Sequence, residues 1–296
     1  MIHEYEIREV GPDEAAALFI LHAAIGPADA DQLLPWTQEL EAKLETGARA
    51  WAAVRGRRLA GYGLIDSLPG LPGVCDLSGG VAVAYRRRGL GGRLLGRIRE
   101  AAREMGVDQL SCGVERLEDE AAAFLLHRGF SVEHEECLLE LTALEELPHP
   151  APDPTARLIS LPREQAIPAF LQVYGEAFDG KPWSQPYTAD EVDQSLIRAE
   201  DLLFILHDSQ PVGVVWHEQL PDGRGRIEPL AVSGEHQGRG YGRALLLAAL
   251  HDFRRQRVGV VEIGLWRVNA VAMNLYKSLG FSEVANWYYL ACSLRD

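Results

Sequence analysis

Two short stretches carry residue types suited to holding an anion. Arg86-Arg87-Arg88-Gly89-Leu90-Gly91-Gly92 and Gln237-Gly238-Arg239-Gly240-Tyr241-Gly242-Arg243 each set glycines among basic side chains. An apolar, strand-like run precedes each stretch, and a run with helical spacing follows it. Such a strand–turn–helix aims several backbone N–H groups at one spot, where the helix dipole adds about half a positive charge. Glycine lets the backbone come close to a bulky phosphate. The chemistry implied is a pyrophosphate seat in each half of the chain. Two other phosphate motifs are missing: there is no Gly-Lys-Ser/Thr for a P-loop, and no early strand with GxGxxG and a downstream acid.

The elements that must position these turns occur twice. Arg88-Gly89-Leu90-Gly91 matches Arg239-Gly240-Tyr241-Gly242 at an offset of 151, and Gly129-Phe130 matches Gly280-Phe281 at the same offset. Two landmarks at one spacing mark a duplication, which sets the architecture. Four prolines within Leu147–Pro154 disfavour helix and sheet and read as a linker, which places domains at 1–147 and 155–296. Each half opens with a strand (4–10; 156–161) and helical segments (12–25 and 30–45; 163–178 and 188–199). Strand-like runs follow at 51–54, 59–65 and 81–84, and at 202–207, 212–218 and 226–232. After each glycine turn comes an amphipathic helix, with Leu90, Leu94, Leu95, Ile98 and Met105 in one copy and Leu245, Leu246, Ala249, Leu250 and Phe253 in the other. A fifth strand (109–114; 260–266), a short helix ending at Gly-Phe and a final strand pair complete each unit. The fold class is α/β with a mixed sheet, made twice.

Both turns resemble the Arg/Gln-x-x-Gly-x-Gly/Ala acyl-CoA motif of the GNAT N-acetyltransferase superfamily. The second half adds Asn269-Ala-Val-Ala272-Met-Asn-Leu-Tyr276-Lys-Ser-Leu-Gly280-Phe281, similar to that family's fourth-helix signature. The resemblance spans essentially the whole chain and is stronger in the second half. It implies two tandem domains of that family and acetyl-CoA as the cofactor. The implied reaction is acetyl transfer to a primary amine of a small molecule or peptide, by direct attack in a ternary complex. It further implies that backbone N–H groups of Leu230, Ala231 and Val232 hold the thioester carbonyl. Gln237, Gly238, Arg239, Gly240, Gly242 and Arg243 would bind the pyrophosphate, Asn269 would contact the pantetheine arm, and Tyr276 would protonate the departing thiolate. Glu228, on the strand carrying that carbonyl seat, is the candidate base, directly or through water, with Glu262 and His217 next.

The first half departs from this pattern. At the 151 offset Tyr276 becomes Leu125 and Asn269 becomes Glu118, while Glu228 becomes Leu77, or Gly79 if the strand is shifted by two. This half is expected to keep Arg87, Arg88, Gly89, Gly91 and Gly92 as a pyrophosphate seat and to have lost catalysis. A second reading makes the whole chain a silent acyl-CoA-binding sensor or interaction module. Trp183 reads equally as an acceptor-pocket wall and as a loop staple. Glu133, Glu135 and Glu136 read as charges guarding an edge strand, and His236 and His251 as solvated.

Composition narrows the rest. The net charge is −14, with 15 Lys+Arg against 25 Asp+Glu in residues 1–150 and 14 against 18 thereafter. Such a surface repels nucleic-acid phosphates and anionic lipid, and would draw in a cationic amine. Cys75, Cys112, Cys137 and Cys292 are scattered without CxxC, which argues against a disulfide framework or a metal site. The opening MIHEYEI has no apolar segment of the kind that starts a signal peptide, so a cytoplasmic location is expected. Acceptor identity and acyl chain length are not legible, and the oligomeric state is left open, a homodimer included.

Overall fold

The computed structural model describes residues 5–25, 33–148, 156–182 and 184–295. They fall into two compact units, Met1–Glu133 with Tyr288–Asp296, and His134–Trp287. In chain order the first sequence repeat forms β1 (Glu6–Val10), α1 (Ala15–Ile25), α2 (Leu33–Thr46), β2 (Arg49–Arg55), β3 (Arg58–Ser67), β4 (Val74–Val81), α3 (Leu90–Glu104), β5 (Gln109–Val114), α4 (Glu120–Leu126) and β6 (Ser131–Leu141). The second forms β7 (Ala156–Ile159), α5 (Arg163–Phe178), α6 (Ala189–Ser195), β8 (Leu202–His207), β9 (Gln210–Gln219), β10 (Gly225–Val232), α7 (Tyr241–Arg255), β11 (Val261–Trp266), α8 (Ala270–Ser278) and β12 (Ser282–Ser293).

The sheet of the first unit runs β1-β2-β3-β4-β5 and is completed by Tyr288–Ser293 of β12. The sheet of the second runs β7-β8-β9-β10-β11 and is completed by Glu136–Leu141 of β6. Each unit therefore takes its last strand from the end of the other sequence repeat. Contiguous domains at 1–147 and 155–296 do not describe this division, because a proline-rich stretch marks a linker and carries no information on where the strand before it pairs. Within each unit all neighbours are antiparallel except β4/β5 and β10/β11. Parallel neighbours need a crossover connection, and α3 and α7 provide it.

The amphipathic faces of those helices seal the cores. Leu90, Leu94, Leu95 and Ile98 are buried in one unit, and Leu245, Leu246, Ala249, Leu250 and Phe253 in the other. Met105, grouped by spacing with the first set, is instead the exposed C-cap of α3. Gly225 makes room for the Phe253 ring, which would lie 2.8 Å from a Cβ at that position. Two strand expectations also change. The fourth strand of the first unit lies at Val74–Val81, and residues 83–85 form a 3-10 turn after it. Each final strand pair is one long strand, β6 or β12. The glycines of Ser78-Gly79-Gly80 obscure the strand pattern, since glycine is depleted in strands.

Leu290 on β12 is fully buried in the core of the first unit. Leu290→Ala is expected to cost about 2–5 kcal/mol. Hydrogen exchange should place the loss of protection on β5 and α3 and leave α7 protected.

Candidate functional site

The two parallel strands of the second unit stay together only briefly. Gly225, Arg226 and Ile227 pair with Val261, Glu262 and Ile263, and no residue of β10 beyond Ile227 pairs with β11. At the same point β10 bulges against β9, between Ile227 and Leu230, with a cis Glu228–Pro229 peptide. Leu230, Ala231 and Val232 remain bonded to β9 on one side, which leaves the β11 side of their backbone without a strand partner. A cavity of about 940 Å³ opens there, and Leu230–Val232, Glu228, Gln237, Gly238, Gly240, Gly242, Arg243, Asn269 and Tyr276 all border it.

The glycine turn takes the same backbone path in both units. Gly238 and Gly240 have φ of 75° and 83°, and Arg87 and Gly89 have 59° and 75°. Gly240 and Gly89 are the helix N-caps, with no side-chain cap, so the first N–H groups of each helix, which lack intrahelical partners, are free of a competing side chain. Gln237 Nε2 donates to the Val232 carbonyl at 2.9 Å, and Arg86 Nε donates to the Val81 carbonyl at 2.9 Å. These clamps tie each turn to the end of its strand, so the Gln237 amide acts on the turn itself.

The cations differ from expectation. The Arg239 side chain is exposed and does not border the cavity, whereas Arg243 borders it and is held by Ser278 Oγ at 3.0 Å. In the first unit Arg86 and Arg87 both reach Glu120, at 3.3 and 2.9 Å. The residue 151 positions later is Val271, which is highly exposed. Gly91 lies under the Phe124 ring and Gly92 beside the Arg128 guanidinium, each 3.1–3.2 Å from where a Cβ would stand. The Arg88 guanidinium sits over Tyr85, 5.9 Å from the ring centre. The first turn thus keeps its backbone shape but has part of its charge neutralised internally.

Tyr276 lies on α8, 5% exposed, facing the cavity and Phe281. Gly280, with φ of 95°, ends the helix, and Phe281 N–H returns to the Tyr276 carbonyl at 3.2 Å. Phe130 N–H bonds Leu125 in the same way at 3.3 Å, which confirms Leu125 as the counterpart of Tyr276. Burial pushes the Tyr276 hydroxyl pKa upward, with the Glu228 charge adding to it. Glu228 borders the cavity and its side chain is exposed to solvent through it. Desolvation raises its pKa, Arg226 opposes the rise, and Glu136, Glu262 and Glu218 add to it. Its counterpart in the first unit is neither Leu77 nor Gly79. Leu77 and Ile227 occupy matching pairs with Ile65 and His217, and Gly79 and Leu230 match opposite Gly63 and Val215, so Ser78 stands opposite the bulge. The one-residue bulge in β10 breaks the constant offset.

Asn269 caps α8, its Oδ1 accepting from Ala272 N–H at 3.2 Å. Glu262 borders the cavity but pairs with Arg224 at 2.7 Å. His217 faces away, against Phe253 and 3.3 Å from Asp252, and burial lowers its pKa. His236 and His251 are not simply solvated. His236 borders the cavity and packs on Tyr241, and His251 bonds the Pro148 carbonyl at 3.1 Å. Trp183 lies outside the described residues. Glu136, Gly264, Trp266 and Trp287 also border the cavity, and none of them was read as a site residue from sequence. The period-two alternation of β11 through Glu262 was the available signal for Gly264 and Trp266. Glu136, read as an edge guard, faces inward because β6 pairs with β11. Among the described residues no cluster of His, Cys, Asp and Glu could hold a metal ion, and no helix is long and apolar enough to cross a membrane.

The model of the acetyltransferase (GNAT) family matches residues 16–130 and again 167–281. Over 294 residues the chain is 30% identical to a mycothiol acetyltransferase of Thermobispora bispora, covering 94% of this chain and 95% of that protein. A mycothiol acetyltransferase of Thermobifida fusca is 26% identical, with 95% of each covered. In fold the chain is similar to a GCN5-related N-acetyltransferase from Sphaerobacter thermophilus (TM-score 0.75, 20% identity, 99% and 96% covered). It is also similar to a tandem GNAT protein from the clavulanic acid biosynthesis pathway (TM-score 0.66, 21% identity, 99% of each covered).

A raised carboxyl pKa means that the folded chain holds the Glu228 proton to higher pH than the unfolded chain does. Stability from this group is therefore lost as pH rises from the unfolded carboxylate range through the raised value. Glu228→Gln is expected to be more stable than wild type near neutrality and to converge with it below about pH 4. Denaturant melts across that range check the sign.

Proposed function

The chain belongs to the acetyltransferase (GNAT) family, and we propose that its second unit transfers an acetyl group from acetyl-CoA to a primary amine of a small molecule or peptide, in a ternary complex. The observation that carries this reading is convergence: one cavity borders an uncapped glycine turn, an unpaired stretch of β10, a buried tyrosine and a carboxylate of raised pKa. Backbone N–H groups of Gly238–Arg243, with the Arg243 guanidinium, suit the pyrophosphate. The missing Cβ at Gly242, whose nearest neighbours would stand 3.7 Å away, leaves the approach open.

The amine nitrogen attacks the thioester carbonyl carbon. Glu228, directly or through one water, accepts the amine proton, and its raised pKa makes it a better base than an ordinary carboxylate. Unpaired N–H groups along Leu230–Val232 face the developing oxyanion. As the C–S bond breaks, Tyr276 donates its proton to the thiolate, and burial keeps that proton in place at neutral pH. The relatives' name makes mycothiol-related amines the first acceptors to try. The first unit has Leu125 and Ser78 at the two catalytic positions and serves no transfer step.

Thiol release from acetyl-CoA across an amine panel tests the activity. Tyr276→Phe is expected to lower kcat by roughly 10²-fold with acetyl-CoA affinity unchanged, and unchanged turnover would remove the acid assignment. Calorimetry is expected to find one tight coenzyme site per chain. Arg243→Ala should weaken that site about tenfold, as for loss of a charge-assisted contact, whereas Arg239→Ala should change it little.

A further inference from the structure

The face of the second sheet that borders the cavity carries a second carboxylate with no assigned task. In the β6/β11 ladder Glu136 stands opposite Trp266, Leu138 opposite Gly264, and Glu140 opposite Glu262. Strand side chains alternate with period two, so these pairs share one face, and buried Leu139 and Ile263 occupy the other. That face is also the one presented by Arg226 and Glu228, since Ile227 between them is buried in the core.

Charge pairing on this face is uneven. Arg224 is taken by Asp222, Glu140 and Glu262 at 2.8, 3.2 and 2.7 Å, and Arg226 by Glu218. Among the described residues neither Glu228 nor Glu136 forms an ion pair with an arginine or lysine. Two carboxylates that border one cavity, neither of them paired with an arginine or lysine, call for a cationic guest. The floor beside them is open, because a Cβ on Gly264 would meet nothing within 4 Å. Glu136 is also held in place: His134 Nε2 lies 3.2 Å from Glu136 Oε1, and the His134 ring stacks on Trp266 at 3.7 Å between centres and 5° between planes. The carboxylate and the indole are thus fixed as a unit.

We propose that Glu136 and Trp266, with Gly264 as the floor, form the subsite that receives the acceptor's ammonium group and presents it to Glu228. The inference rests on the transferase reading and deepens it, since it assigns the acceptor a cation that is recognised before it is deprotonated. Glu136 is a specificity residue that attracts the ammonium and leaves its proton to Glu228. The indole face turned away from His134 adds cation–π attraction to a cation placed over it.

The test uses the full chain saturated with CoA and titrated with benzyltrimethylammonium, a cation that no acetyl group can modify. Wild type is expected to bind it, and Glu136→Gln to bind it about tenfold or more weakly, as for loss of one close charge partner. Gly264→Val, whose Cβ would meet nothing within 4 Å and whose backbone is not left-handed, should exclude it by volume. Neopentylbenzene, the uncharged isostere, should ignore Glu136→Gln and still be excluded by Gly264→Val. Coenzyme affinity and melting temperature should be equal in all three proteins. Equal affinity for the cation in wild type and Glu136→Gln, or no cation binding to wild type, overturns the subsite. Absence of coenzyme binding by wild type instead overturns the transferase reading itself.

Discussion

Backbone hydrogen bonding that stops after three residue pairs is the constraint on which the site depends. Buried peptide groups are almost always paired, so two adjacent parallel strands that part company must be compensated. In the second unit β10 parts from β11 after Ile227. The exposed edge is then available to a ligand, and the same divergence opens the cavity toward the helix start at Gly240. The bulge at Glu228–Pro229 turns the strand at this point and carries the carboxylate that the proposed chemistry needs. Core packing of Phe253 against Gly225 and of Ile227 and Ile263 beneath α7 holds the strands together up to the point of divergence.

The first unit shows the same frame without the tyrosine and the carboxylate that border the cavity of the second. Its parallel strands also separate early, after Asp76 and Ser111, and its turn keeps both left-handed residues. Its β4 runs against β3 without a bulge, so no carboxylate is set at the splay. Glu120 draws Arg86 and Arg87 onto itself, and Ile25 packs where a Cβ on Gly80 would stand. The two turns share a backbone path while differing in the side chains around it.

Much of this was legible in the residues. The glycine turns, the amphipathic helices behind them and the Gly-Phe helix ends were readable because each rests on local physics: left-handed backbone, helical spacing and a C-cap. Tyr276 and Glu228 do border one cavity. Features that depend on pairing across the sheet were hidden. A constant offset could not reveal the extra residue in β10, so Ser78 was missed as the counterpart of Glu228. Arg239 and Arg243 look alike in sequence, yet Arg239 lies in the turn before the N-cap and is exposed, whereas Arg243, on the first turn of α7, borders the cavity. Glu136 read as a surface guard because nothing local indicates that β6 pairs with β11.

The exchange of final strands has a consequence for how the protein is made. The first unit lacks its sixth strand until Tyr288–Ser293 has been synthesised. Until then β5 has an uncovered edge, the kind of surface that recruits other chains. The second unit receives its own completing strand before its first helix is translated. Translation order therefore completes the second sheet first, and a nascent chain arrested before Tyr288 would have closed that sheet while β5 of the first still lacked its partner.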